Sequence, residues 1–313
     1  MENYENLFNL LRKEKPDVRK ITIDSYLKYI INLHNEIYGN KKVESLKWLN
    51  DFSKIMDTIK DKTYLTQRNI LNSVIVGLHS DNGKESIIEK FSELRDNFNK
   101  KYLEDVKNGV SSKKSENIIS RKELDDFINQ FEKIIKIKKC KSNKNMNEKE
   151  LHEFQLYVIL KFYQKYPLRS DLCTFQFINS SDERDDDINY YLWDKGEIIM
   201  NEYKTSKKYG NYTIDLDKEI NGLFKCLIKK KIVKNNNYLI TKKTGEPYNK
   251  QEFSNLIIKF FKVRIGKNIG VTALRRIYLQ KYSSVKEEMK QDAQIMGHSV
   301  ATQQGVYVSD KQD

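Results

Sequence analysis

The stretch Thr272-Ala273-Leu274-Arg275-Arg276 is followed by Met296-Gly297-His298-Ser299 and then by Tyr307, nine residues after His298. An arginine, a histidine and a tyrosine at these spacings form a set that can break a phosphodiester without metal. A tyrosine hydroxyl, with an ordinary pKa of about 10, is a poor nucleophile at neutral pH. It needs cations to stabilise the charge that builds on the non-bridging oxygens, and the planar guanidinium fork suits those oxygens. The leaving 5′-oxygen needs a proton, which calls for a general acid. A metal-free site of this kind therefore requires two arginines, a further donor, a lysine or histidine acid, and a tyrosine.

The remaining members are sought upstream. Pro167-Leu168-Arg169-Ser170-Asp171-Leu172 follows an apolar helical run, and Glu202-Tyr203-Lys204-Thr205-Ser206-Lys207 follows an alternating run. The first supplies a second arginine and the second a lysine followed by threonine, with Lys207 and Lys208 as rivals to Lys204. Each residue also has a plainer reading. Arg169 would be a buried ion-pair partner of Asp171, His298 a cap after Gly297, and Tyr307 one of 19 tyrosines used for packing. Tyr278 and Tyr282 are read as core-facing on the Arg275 helix.

Around these motifs, the chain of 313 residues favours two domains. Its net charge of +13 points to an acidic partner, most simply nucleic acid. A Lys- and Asn-rich, AT-biased genome would produce a similar balance. Cys140, Cys173 and Cys226 are scattered and form no CxxC pair, which argues against a disulfide framework or zinc site and fits a reducing intracellular compartment. No apolar run approaches the length of a membrane span, and the N-terminus does not resemble a signal peptide. The acidic run from Asp182 to Asp187 reads as a solvated loop before the sheet, because consecutive carboxylates rarely converge on one ion.

Residues 1–108 read as a four-helix bundle. Thr22 is expected to cap a helix stopped by Gly39, a second helix to cover Ser45–Ile59, a third to start near Thr66, and a fourth to follow Gly83; its exposed face reads as Lys- and Arg-rich. Residues 109–117 read as a linker. Ser120 and Glu123 read as a capping box opening a second domain over 118–313. Lys133–Lys144 reads as a helix end running into a basic loop, and Glu150–Tyr166 as an apolar helix. Asn189–Leu216 reads as a three-stranded antiparallel meander with turns at Asp194-Lys195-Gly196 and near Tyr209-Gly210. Helices resume at Lys218. The fold class is therefore mainly α with a small antiparallel β-meander.

Taken together, residues 118–313 resemble the catalytic domain of the tyrosine recombinases, the family of phage integrases. The resemblance implies that the helical first domain is the family's DNA-clamping domain, closing on duplex DNA together with the second. It implies Arg169 and Arg275 as the catalytic arginines, Lys204 as the general acid, His298 as the phosphate-contacting histidine, and Tyr307 as the nucleophile. Asp171 and Thr272 are supporting positions: Asp171 is one residue closer to Arg169 than the usual acidic partner, and Thr272 stands where the family usually has His or Lys. The implied activity is site-specific DNA cleavage and rejoining through a 3′-phosphotyrosine, with no metal and no cofactor. The implied partners are double-stranded DNA and three further protomers around paired sites, with no membrane, in the compartment that holds the target DNA. A virus or mobile element would suit the composition. Two alternatives stay open: a type IB topoisomerase, and a catalytically impaired DNA-binding relative.

Overall fold

The structure is a computed structural model that describes residues 4–107, 119–135, 146–231 and 237–295. The chain divides into two compact units, Met1–Ser112 and Lys113–Asp313. Among the described residues it is mainly helical with one small mixed sheet.

The first unit contains helices α1 (Glu5–Glu14), α2 (Lys20–Tyr38), α3 (Phe52–Ile59), α4 (Tyr64–Ser80) and α5 (Glu85–Lys107). Apolar periodicity predicts four helices, and α1 is the addition. Helix α2 begins before Thr22, with Arg19 at its N-cap and no side-chain cap, and ends at Gly39, whose φ of 74° admits the chain reversal. The helix expected over Ser45–Ile59 is broken. A 3₁₀ turn covers Lys47–Asn50, and Asp51 restarts the chain as α3 by accepting a hydrogen bond from the Lys54 amide at 3.1 Å. Thr63 caps α4 in the same way through Thr66. Helix α4 runs through the core on Ile70, Leu71, Val74 and Leu78. Gly77 lets the 3₁₀ turn lie close against it: a Cβ there would stand 2.6 Å from Leu49 Cδ1.

The second unit starts with α6 (Arg121–Ile135), opened by the expected capping box. The Ser120 amide donates to Glu123 Oε2 at 2.7 Å and the Glu123 amide to Ser120 Oγ at 3.2 Å. Helix α7 (Glu148–Lys165) carries its own box on Asn147 and Glu150. Residues 154–163 of α7 are almost continuously buried, so it forms the axis of the second core. On this axis, Gln155 exchanges two buried hydrogen bonds with the Thr241 backbone, at 2.8 and 3.0 Å.

The sheet corrects the sequence reading. Strands β2 (Tyr190–Leu192), β3 (Glu197–Met200) and β4 (Tyr212–Asp215) form the antiparallel meander, turning at Gly196 with φ 79°. A fourth strand, β1 (Gln176–Ile178), pairs parallel to β2, so the sheet is mixed rather than antiparallel. The acidic run from Asp182 to Asp187 therefore connects two sheet neighbours instead of preceding the sheet; its side chains are exposed. Near Tyr209 the chain forms a one-turn helix, α8 (Ser206–Tyr209), before Gly210. Helices α9 (Lys218–Lys231), α10 (Lys250–Ile265), α11 (Val271–Leu279) and α12 (Ser283–Ile295) follow. The expected linker and most of the basic loop after Lys133 lie outside the described residues. No helix among the described residues is long and apolar enough to cross a membrane.

Candidate functional site

Helix α7 stops where proline forces it to. Tyr166, the residue before Pro167, is extended (φ −126°, ψ 107°), as steric contact with the pyrrolidine ring requires. The chain then runs extended through Arg169 into a 3₁₀ turn, Ser170–Thr174. Its course is fixed by the buried Tyr163, whose hydroxyl donates to the Arg169 carbonyl at 2.7 Å. Burial pushes the Tyr163 phenol well above its ordinary pKa, with Arg275 acting in the opposite sense. Tyr163 therefore stays neutral and serves as a strut.

Arg275 enters from α11. Val271, Leu274 and Ile277 bury one stripe of that helix, and Arg275 lies on its flank, half-buried. Its Nε donates to the Pro167 carbonyl at 2.8 Å. One edge of the guanidinium is thus tied to the segment that carries Arg169. Both arginines line a single cavity of about 410 Å³, together with Asp171, Tyr203, Thr205, Tyr209 and Tyr212.

Asp171 is not the partner of Arg169. Its carboxylate is 4% exposed and accepts from Lys250 Nζ at 2.6 Å, while Arg169 is exposed. Lys250 opens α10, so the ion pair bolts that helix to the Arg169 loop. Only the carboxylate is buried, since Lys250 is 46% exposed, so losing Lys250 would leave a buried carboxylate without its cation, whereas losing Asp171 would leave a solvated ammonium. Cys173, next but one to Asp171, has its thiol pushed up to about 12 by burial, and is an inert packing residue.

Lys204 lies beyond the end of β3, in the turn before α8, and is exposed. Its neighbours Tyr203 and Thr205 line the cavity, and Lys204 does not. Lys207 and Lys208 are exposed on α8, with Lys208 Nζ 5.0 Å from the Tyr209 ring centroid. Thr272 is exposed in the first turn of α11, one turn before Arg275, and does not line the cavity. His298 and Tyr307 lie outside the described residues. Tyr278 and Tyr282 are not core residues. Tyr282 is 51% exposed, and both rings bracket Lys281 Nζ, at 4.0 Å and 4.8 Å from their centroids.

One residue that organises the site gives no signal in the sequence. Asn189 is 2% exposed, and its side chain makes four hydrogen bonds. Its Nδ2 donates to Thr174 Oγ1 at 3.1 Å and to the Glu202 carbonyl at 2.8 Å. Its Oδ1 accepts from the amides of Asn201 and Glu202, at 2.8 and 2.9 Å. Asn189 therefore locks the end of the Asp171 turn to the turn holding Tyr203, Lys204 and Thr205. Lys250 likewise stands 79 positions from the carboxylate it neutralises.

No protein-family model matches this chain, and no curated protein matches it. Among solved structures, a crystal structure of XerA recombinase aligns over 97% of this chain and 92% of that chain, at 14% identity and a TM-score of 0.38. A likeness at that level carries no argument about this chain.

Proposed function

We propose that this protein is a DNA strand transferase of the tyrosine-recombinase kind. The observation that carries the reading is the pairing of Arg169 with Arg275 in one cavity, from elements far apart in the sequence. Two arginines lining one concavity suit a phosphate whose oxygens gain charge in a pentavalent transition state. The motif order, with His298 and then Tyr307 downstream, supports the same chemistry.

In this scheme the Tyr307 oxygen attacks phosphorus, and the bond from phosphorus to the 5′-oxygen breaks. Lys204 gives the leaving oxygen its proton, and a 3′-phosphotyrosine forms. The 5′-hydroxyl of another strand then reverses the step, so no high-energy cofactor is consumed. Arg169, Arg275 and His298 hold the phosphate, and the Asp171–Lys250 pair holds the loop that presents Arg169. The acid assignment puts Lys204 in the turn that Asn189 anchors. Lys207 and Lys208 are the alternatives on the adjoining helix.

The test is a nicked suicide DNA substrate incubated with the protein in EDTA. A covalent protein–DNA adduct is expected, and Tyr307→Phe, which removes only the nucleophilic oxygen, abolishes it while DNA binding persists. An adduct that survives Tyr307→Phe, or one that needs magnesium, refutes the mechanism. Stable DNA binding with no adduct from the unmodified protein assigns the chain to a non-catalytic DNA-binding role.

A further inference from the structure

The cavity holding Arg169 and Arg275 is larger and more aromatic than a phosphate requires. Its volume of about 410 Å³ lies in the range of pockets that take whole small molecules, roughly 300–1,000 Å³. Three tyrosines, Tyr203, Tyr209 and Tyr212, share the rest of the wall with Pro167, Leu168, Asp171 and Thr205. Tyr203 is buried, and its hydroxyl donates to the Gly210 carbonyl at 2.6 Å, which fixes the chain between α8 and β4. Tyr212 stands edge-on to it, with ring centroids 5.1 Å apart and an interplanar angle of 86°. Tyr209, at the end of α8, is 65% exposed, and Tyr212 is 38% exposed. Arg169 and Tyr212 line the same cavity, so the guanidinium and this aromatic wall belong to one site.

Tyr209 contributes little to the core, and its exposed ring lines the same cavity as two phosphate-binding groups. We propose that this wall is a nucleobase subsite, in which an unpaired base beside the bound phosphate stacks on Tyr209, with Tyr212 closing the subsite. The subsite rests on the phosphate reading of the two arginines and adds a preference for DNA that is locally unpaired there. Stacking on an aromatic ring tolerates any base, so the subsite selects for an unpaired base rather than for a sequence. Lys208, held near the Tyr209 ring, adds a cation beside the base.

The full chain carrying Tyr307→Phe, which cannot form an adduct, is titrated with two duplexes that differ only by one unpaired base. The preference for the unpaired-base duplex is expected to be roughly ten-fold, the size of a single stacking interaction. Tyr209→Ala reduces that ratio several-fold, and Tyr209→Phe, which keeps the ring, preserves it. Tyr209 is exposed, so these variants fold; Tyr212→Ala gives an independent second reading with the same expected decrease. Equal affinity for the two duplexes, or a preference that survives both alanine variants, overturns the proposal. The adduct assay on the Tyr307-intact protein separates the two claims. An adduct without base preference removes only the subsite, and base preference without an adduct removes only the strand-transfer reading.

Discussion

The two units differ in the charge they carry. Residues 1–112 contain 19 Lys and Arg against 17 Asp and Glu, whereas residues 113–313 contain 38 against 27. Nearly all of the +13 therefore belongs to the second unit. That unit also holds the two-arginine cavity and the sheet, while the first is built, among the described residues, of helices around an aliphatic core. A whole-chain charge says that an acidic partner is plausible; its distribution says which half should dominate the salt dependence of binding. The unit for which a Lys- and Arg-rich face is read carries a net charge of only +2, from 19 basic against 17 acidic residues.

The largest effect that could break this contrast concerns the cores, which share no residue. Phe261→Ala removes a fully buried ring from the second core and is expected to cost about 3–5 kcal/mol; Leu71→Ala in the first is expected to cost about 2–5 kcal/mol. Calorimetry of the full chain should show each variant lowering a different transition. A single transition lowered equally by both would show that the units unfold as one.

Asn189→Ala is next in size. It strips the partners from the amides of Asn201 and Glu202, at a cost of about 1–3 kcal/mol for a buried group left unsatisfied. Because it also releases the turn bearing Lys204, cleavage should fall further than stability does. Cleavage that tracks stability alone would make Asn189 an ordinary core residue.

Much of this architecture was legible from local pattern. Apolar periodicity marks α4 and α7, the box at Ser120 and Glu123 opens α6, and alternation marks the meander. Strand β1 was not legible: three residues carry no period, and its parallel partner lies beyond an acidic loop. Helix α1 was legible but not read: Leu7, Phe8, Leu10 and Leu11 recur at helical spacing, and Leu7 and Leu11 are buried. The break at Asp51 depends on a cap competing with helix continuation, a contest that periodicity does not decide. At the site, the arginines were visible as residue types, but the links that aim them were not. Asp171 meets Lys250, Arg275 meets Pro167, and Asn189 joins two turns, all through tertiary packing.

A smaller effect sharpens the charge contrast directly. Each phosphate that the protein no longer neutralises should flatten the slope of log affinity against log salt by about 0.9. Replacing the exposed Lys259 and Lys262 of α10 with Gln should therefore reduce the slope more than replacing the exposed Lys41 and Lys42 of the first unit. The reverse order would move the main DNA-binding surface to the first unit.

The smallest effect is a pH response confined to the first unit. His34 is 8% exposed and packs against Tyr38 and Trp48, and its Nδ1 has no hydrogen-bond partner. Burial holds its pKa below the ordinary 6.5. The unfolded chain therefore binds a proton first as pH falls through 6.5, and the first unit becomes less stable from there down to the lowered folded pKa. His34→Leu should remove that part of the acid sensitivity in thermal melts, while an unchanged pH profile would show that His34 is not its source.

The central claim is that Arg169 and Arg275 meet one phosphate at the moment its charge builds. Single-turnover cleavage and equilibrium DNA binding, measured together on Arg169→Ala and Arg275→Ala, test it most directly. The account predicts cleavage slowed by roughly 10²–10³-fold for each variant, as when one transition-state donor is removed, with binding nearly unchanged because each arginine is one phosphate ligand among many. Decreases of equal size in binding and cleavage would contradict it and make both arginines DNA-clamping residues.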